Sequence, residues 1–347
     1  MRCGDFKTSY AADMTIFESN TARIMLGLFL CLLFTLPLYT PGYVLDIANR
    51  IGIAIIGAVG LNILTGFTGQ ISLGNAAFMA IGAFSSGYLG TKFGLPFYLC
   101  IPLAGLMTAF FGMFVGIPSL RIKGLYLAMA TLAAHFIVEF LVVKWESVTG
   151  GVAGLSIPAP KLGEFAFDTD SRMFFLIFVI AVLAVLFAKN LFRTKVGKAF
   201  VAIRDQAISA EVMGVNILKY KLLSFGISSF YVGVAGALVS YQAKIISPET
   251  FPITVAIDYL GMIIIGGLGS ILGSIYGAIF ITLLPELLRL STSALAGPFP
   301  LLVAKLAAMK ELVFGIFVVV FILFEPHGLA ARWHSIKNYW KLYPFSH

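Results

Sequence analysis

Charge is scarce in this chain. Only 12% of its 347 residues are Asp, Glu, Lys or Arg, against roughly 25% in a soluble domain. Cysteine is scarce too, with three residues (Cys3, Cys31, Cys100), and the four histidines (His135, His327, His334, His347) stand far from any metal-ligand spacing. These shortages exclude a disulfide framework and give no zinc signature. Also missing are G-x-x-x-x-G-K-[ST], H-E-x-x-H and G-x-S-x-G. The first absence means that the chain does not cradle nucleotide phosphates in a P-loop, and the others give no support for an enzyme. No polar stretch exceeds about 30 residues, which is too short to bury a core of its own. The chain is instead 59% hydrophobic with a mean hydropathy of +0.97. That composition belongs to an all-α polytopic membrane protein.

Apolar runs long enough to cross the bilayer fall near 23–40, 46–65, 72–90, 97–117, 124–143, 172–188, 220–242, 254–268, 270–288 and 311–325. The run 254–268 is short and ends in Gly266-Gly267-Leu268-Gly269, so it reads as re-entrant or broken, and eight to ten spans are expected. The first run starts late and has no small-residue cleavage site after it, so it reads as an uncleaved span. Residues 1–22 and 326–347 flank a membrane domain over 23–325.

Loop charges orient this bundle. The segment 189–221 holds Lys189, Arg193, Lys195, Lys198, Arg204, Lys219 and Lys221 against Asp205 and Glu211, a net +5. Short basic loops stay in the cytoplasm. The Gly- and Pro-rich segment 144–171 carries Lys144 and Lys161 against Glu146, Glu164, Asp168 and Asp170, a net −2, and reads as an external loop. Both termini are then cytoplasmic. One segment fits poorly: 289–312, with Arg289, Lys305 and Lys310, falls outside on this reading. The basic residues are scattered around apolar spans, which favours an anionic leaflet over nucleic acid as their neighbour.

Within 189–221, Ala199, Val201, Ala202, Ile203, Ile208, Ala210, Val212 and Met213 alternate with charges at helical spacing. A short helix over Ala199–Met213 is expected, stopped by Gly214. Residues 60–90 combine a span with Asn62, Gln70, Ser72 and Asn75, and with Gly66, Gly69 and Gly74. Broken helix and polar groups at membrane depth are tolerated when buried in protein or lining a watery path. The segment therefore reads either as a helix start beside a pathway or as a tight hairpin with capping side chains. Gly269, Gly273 and Gly277 put a stripe without side chains on one helix face, suited to intrachain packing or to a subunit interface. His135 and Glu139 read as an i, i+4 pair near the outer water, and Glu286 with Arg289 as a pair at a span end.

Several of these motifs occur together in an informative order. GQISLGNAAFMAIGAF (69–84), KGLYLAMATLA (123–133), TGGVAGL (149–155), the run 197–238 and GGLGSILGSIYGA (266–278) resemble the permease family of branched-chain amino-acid ABC importers. The likeness is to the subunit type with the long outer loop, and it covers roughly 50–325. It implies an inner-membrane subunit of bacteria or archaea that pairs with a homologous permease. It also implies two cytoplasmic ATPases and an extracytoplasmic substrate-binding protein as partners. ATP would be used by those ATPases, with no cofactor on this chain. Residues 197–214 would be the coupling element, with Arg204, Asp205 and Glu211 orienting a short helix in an ATPase groove and Gly214 ending it. Asn62, Gln70, Ser72, Asn75 and Thr131 are the expected pathway residues. A branched-chain or other small amino acid is the expected cargo, with urea, amides or another small polar solute, or a stand-alone secondary transporter, as alternatives. Two departures from the family stand out: the acidic Phe324-Glu325-Pro326-His327-Gly328-Leu329 and the long apolar 291–310.

Overall fold

A computed structural model describes residues 20–295 except 121, 123 and 164, then scattered positions between 312 and 325, and 328–342. The expectations for most of 1–22 and for 296–310, including Lys305 and Lys310, lie outside the described residues, as do those for His327 and the end of the tail.

Among the described residues the regular structure is helical apart from four two-residue strands. Its helices are α1 (Asn20–Phe34), α2 (Gly42–Thr68), α3 (Asn75–Lys92), α4 (Phe97–Gly116), α5 (Leu125–Lys144) and α6 (Glu146–Thr149). They continue as α7 (Asp170–Leu191), α8 (Lys195–Val212), α9 (Ile217–Ala243), α10 (Ile253–Gly266), α11 (Ile271–Leu295) and α12 (Gly328–Leu342). Among the described residues, seven stretches are long and apolar enough to cross a membrane: α2, α4, α5, α7, α9, Pro248–Gly266 and Ile271–Leu290. The sequence suggested eight to ten. The difference lies at the more polar α3, at the shorter apolar stretch Arg23–Leu38, and at 311–325, which is only partly described. The stretch 254–268 is an unbroken helix up to Gly266; the chain turns only at Gly267 and Gly269, both at positive φ.

Helix α9 is the centre of the bundle, packed against α4, α3 and α2. The contact is close because glycines remove side chains where the backbones meet. A Cβ on Gly82 of α3 would stand 2.2 Å from the Gly233 carbonyl oxygen of α9, and one on Gly236 would stand 2.1 Å from that of Met79. With little hydrophobic drive between helices inside lipid, such backbone proximity is a main source of association. Helices α2 and α9 are largely buried, while α5 and α7 leave most of their surface outside the bundle.

Helices α10 and α11 form a second tight pair. Cβ atoms on Gly273 and Gly277 would meet the carbonyl oxygens of Gly266 and Met262 at 2.7 and 1.8 Å. The glycine stripe thus serves packing within the chain. Gly269 departs from the expected face: it precedes α11, in the turn, at φ +75°.

Two ends of the bundle can be told apart by their contacts. At the loop end, β1 (Leu155–Ser156) pairs antiparallel with β4 (Ile245–Ile246), Leu155 opposite Ile246. The loop also carries the small hairpin of β2 (Lys161–Leu162) and β3 (Phe165–Ala166). Gln242 donates to Asp46 at 2.8 Å there, and Lys244 donates to the Asp168 carbonyl at 3.1 Å. Glu286 and Arg289 pair at 3.0 Å and both reach the Tyr43 hydroxyl. The opposite, basic end gathers the α2–α3 segment, α8, the α10–α11 turn and the start of α12.

Candidate functional site

The polar residues of 60–75 gather where α2 stops short of α3. Helix α2 ends at Thr68 with Gly69 at φ +71°, and α3 begins only at Asn75. Residues 69–74 are non-helical, with Gln70, Ser72 and Gly74 buried. They run into the bundle: the Gln70 amide donates to Ser224 at 2.8 Å, about two turns into α9. The Leu73 N–H donates to the Thr131 hydroxyl of α5 at 2.9 Å, and the Gly74 N–H reaches Ser72 at 3.3 Å. Non-helical backbone inside a membrane bundle must find partners in the protein, and these hydroxyls supply them.

Asn62 links this segment to the second helix pair. Its amide donates to the Ser270 carbonyl at 2.8 Å and to the Ser274 hydroxyl at 2.7 Å, and its oxygen accepts from the Gly269 N–H at 2.9 Å. Asn62, Gln70, Ser72, Asn75 and Thr131 are all buried. The Gln70 Oε1 and the Asn75 Nδ2 have no hydrogen-bond partner among the described residues. His135 is also buried with both ring nitrogens unpartnered, and its Nε2 lies 3.9 Å from Glu139. It lines a water-sized cavity of about 10 Å³ with Ala77, Ala80, Val138, Glu139 and Phe251. A line of buried polar groups thus extends from the basic end toward the middle of the bundle.

Helix α8 meets that line at Arg204. The expected coupling helix Ala199–Met213 begins earlier, at Lys195, and Gln206 interrupts it with φ −156° and ψ 93°. The first half is anchored by buried Gly197, Ala199, Phe200 and Ile203. Gly197 has to be small, since a Cβ there would sit 2.4 Å from Phe192 Cα. Phe192, at the corner before α8, stacks on Phe67 with centroids 3.5 Å apart. Arg204 turns toward the body of the protein: its Nη1 donates to the Gly66 carbonyl at 3.0 Å, while its Nε and Nη2 hold Asp205 at 2.9 Å. Its side chain also packs over Gly69 and Gly269, where Cβ atoms would stand 3.1 and 2.8 Å from it. One arginine therefore adjoins the end of α2, the start of the 69–74 segment and the α10–α11 turn.

Beyond the kink the surface changes character. Ile208, Val212 and Met213 are 72, 82 and 83% exposed, beside the exposed Glu211. Gly214, at φ +85°, ends the helix as its sequence position suggested. The division of labour along α8 was not legible from spacing. Arg204 and Glu211 look alike in the sequence, yet one bonds inward and the other lies exposed. Sequence reasoning also passed over Ser224, one of four serines in the run that forms α9, and gave Ile208, Val212 and Met213 no role apart from the rest of the helix.

Comparison with known proteins accounts for most of the chain. The family described as branched-chain amino acid transport system / permease component matches residues 43–322. The high-affinity branched-chain amino acid transport system permease protein LivM of Escherichia coli K12 is 34% identical over 290 residues, 76% of this chain and 68% of that protein. LivM of Salmonella typhimurium LT2 is 34% identical over 268 residues, 70% of this chain and 63% of its own length. A probable branched-chain amino acid transport permease protein, LivH of Methanocaldococcus jannaschii, is 24% identical over 296 residues, covering 82 and 90% of the two chains. No solved structure matches the chain.

Proposed function

This chain belongs to the branched-chain amino acid permease family, and from that premise we propose that it is the membrane-spanning subunit of an ATP-driven importer. It pairs with a homologous permease, receives cargo from an extracytoplasmic binding protein and is driven by two cytoplasmic ATPases. The basic end is cytoplasmic, as its lysines and arginines favour, so both termini lie in the cytoplasm. Nucleotide is bound by the ATPases and not by this chain. The cargo is a branched-chain or other small amino acid, in keeping with the names of the relatives.

The observation that carries this reading is the two-sided build of α8. Its far half presents Ile208, Val212 and Met213 to solvent. Large apolar side chains clustered outside the membrane mark a surface that a protein partner covers. Its near half is bolted by Arg204 to the carbonyl of Gly66 and lies over Gly69 and Gly269. A push on the far half is thereby delivered to the end of α2 and to the α10–α11 turn. Both adjoin the non-helical 69–74 segment and its buried polar residues, Asn62, Gln70, Ser72, Asn75 and Thr131. These residues line or gate the cargo path, and alternating access follows from moving the helices that hold them.

Replacing Val212 and Met213 with glutamate tests the docking half. An interface anchor contributes about 2 kcal/mol or more, so ATPase recovered with the permease from native membranes should fall on the order of tenfold or more, with membrane insertion unchanged. Undiminished recovery would remove α8 as the docking element. Failure of any ATPase to accompany the wild-type chain would remove the importer reading itself.

A further inference from the structure

The bundle has a gap set apart from α8 and from the buried polar line. Helix α7 packs on α2, and helix α4 packs on α9. Between these two pairs lies a cavity of about 660 Å³. Helix α4 forms one wall from Phe97 to Pro102, α7 forms the other from Leu176 to Leu191, and Ile227, Phe230 and Tyr231 of α9 form the floor. On α7 the lining residues Leu176, Ile180, Leu183 and Phe187 share one helix face. The lining follows α7 for about 22 Å of helix axis, most of the roughly 30 Å depth of the hydrocarbon core.

Position and lining together identify what fills this gap. Tyr98 on one wall, and Leu183 and Phe187 on the other, are exposed. The cavity therefore opens sideways and is continuous with the surface that α4 and α7 present to the bilayer. Its lining carries no charged residue, and its polar side-chain groups are the hydroxyls of Tyr98 and Tyr231. Tyr231 already donates to the Ala184 carbonyl at 3.0 Å. A polar solute entering the gap would leave its own groups unpaired. A second protein helix is no better served, because helices meet inside lipid through small residues, and these walls are built of Phe, Leu and Ile. The glycines of α4 are turned toward α9 instead: a Cβ on Gly105 would stand 2.9 Å from the Phe230 ring, and one on Gly116 would stand 2.9 Å from the Phe225 ring. Flexible hydrocarbon meets every condition. The volume is about four times that of a ~150 Å³ apolar cavity that takes up benzene. The gap is long and runs along the spans, as an acyl chain does.

We infer that the gap between α4 and α7 holds one acyl chain of a membrane phospholipid, lying lengthwise against Ile227 and Phe230 of α9. Tyr98, in the first turn of α4, marks the headgroup end, since tyrosines favour the membrane–water interface. With no charge in the lining, the site reads the chain and not the headgroup. It is independent of the cargo, of the ATPase contact and of which side of the bilayer the basic end faces.

The full chain, alone and with the subunits that co-purify with it, can be placed in proteoliposomes containing phosphatidylethanolamine with a diazirine midway along one acyl chain. Adducts formed on irradiation are mapped by mass spectrometry, with Val179 of α7, exposed and outside the lining, as the internal reference. Adducts should appear on Ile227 or Phe230, half-buried positions of a helix that is otherwise largely buried. Leu183→Trp should cut them about tenfold relative to Val179, because an overfilled site excludes its occupant. Leu186→Trp, on α7 but outside the lining, should leave them unchanged. Phosphatidylglycerol carrying the same labelled chain should give equal labelling. The wild-type protein decides the matter even if Leu183→Trp inserts poorly: labelling of Val179 with none on α9 would overturn the inference. Undiminished α9 labelling in Leu183→Trp, or a strong preference for one headgroup, would do the same. Labelling of α9 in the isolated chain that vanishes when the other subunits are present would overturn it in favour of a partner subunit in the gap.

Discussion

Arg204→Ala should leave the permease in the membrane with its ATPases attached, and still cut transport by about tenfold to a hundredfold. The magnitude follows from the bond that is lost. A hydrogen bond from a charged donor contributes about 1.5–3 kcal/mol, and here it is a direct polar tie from α8 to the end of α2, at 3.0 Å. Without it, motion of α8 reaches the Gly66–Gly69 and Gly269 backbone through non-directional apolar packing. ATP hydrolysis would continue without transport to match. Lysine should not rescue the defect, because a single ammonium lacks the planar fork that holds Gly66 and Asp205 together. The check is cargo uptake and ATP hydrolysis in proteoliposomes of the complete transporter. Uptake within twofold of wild type would show that Arg204 only orients the helix locally.

The larger structural effect is expected at the α3–α9 crossing. A Cβ on Gly82 would sit 2.2 Å from the Gly233 carbonyl oxygen and 2.6 Å from its Cα. These are backbone atoms of a central helix, and they cannot turn aside as a flexible side chain can. Overpacking a core costs about 1–3 kcal/mol even where neighbours adjust. Gly82→Leu, which forces the two helices apart, should exceed that and lower the amount of folded permease in the membrane by at least tenfold. Gly27→Leu is the matched control, because a Cβ there meets nothing within 4 Å. Comparable folded yields of the two variants, measured by size-exclusion profile after detergent extraction, would mean that the crossing is not tightly packed.

What could be read from the sequence, and what could not, divides by the range of the interactions involved. The spans were legible because a bilayer demands long apolar runs, and helix ends such as Gly69 and Gly214 announce themselves by needing positive φ. The basic segment 189–221 was legible as a block of charge. The start of α3 was misplaced by three residues, since nothing local says that 72–74 stay non-helical. That choice is made by Ser224 and Thr131, on helices distant in sequence. The inward turn of Arg204 has the same origin: the Gly66 carbonyl that captures the guanidinium is far away along the chain. Likewise, the pairing of Leu155 with Ile246 joins two dipeptides too short to show strand periodicity. Spacing identified Gly273 and Gly277 as a packing stripe, but only the position of the turn revealed that Gly269 belongs to the Arg204 contact.

On the function proposed above, energy enters this permease from a separate ATPase through α8. A photo-crosslinking amino acid placed at Val212, 82% exposed beyond the kink, tests it in native membranes. The same probe at Val152 in the outer loop, 73% exposed, serves as the reference. A crosslink is expected from position 212, and none from 152, to a cytoplasmic subunit carrying a P-loop. A crosslink from 152 to that subunit, or none from 212, would contradict it.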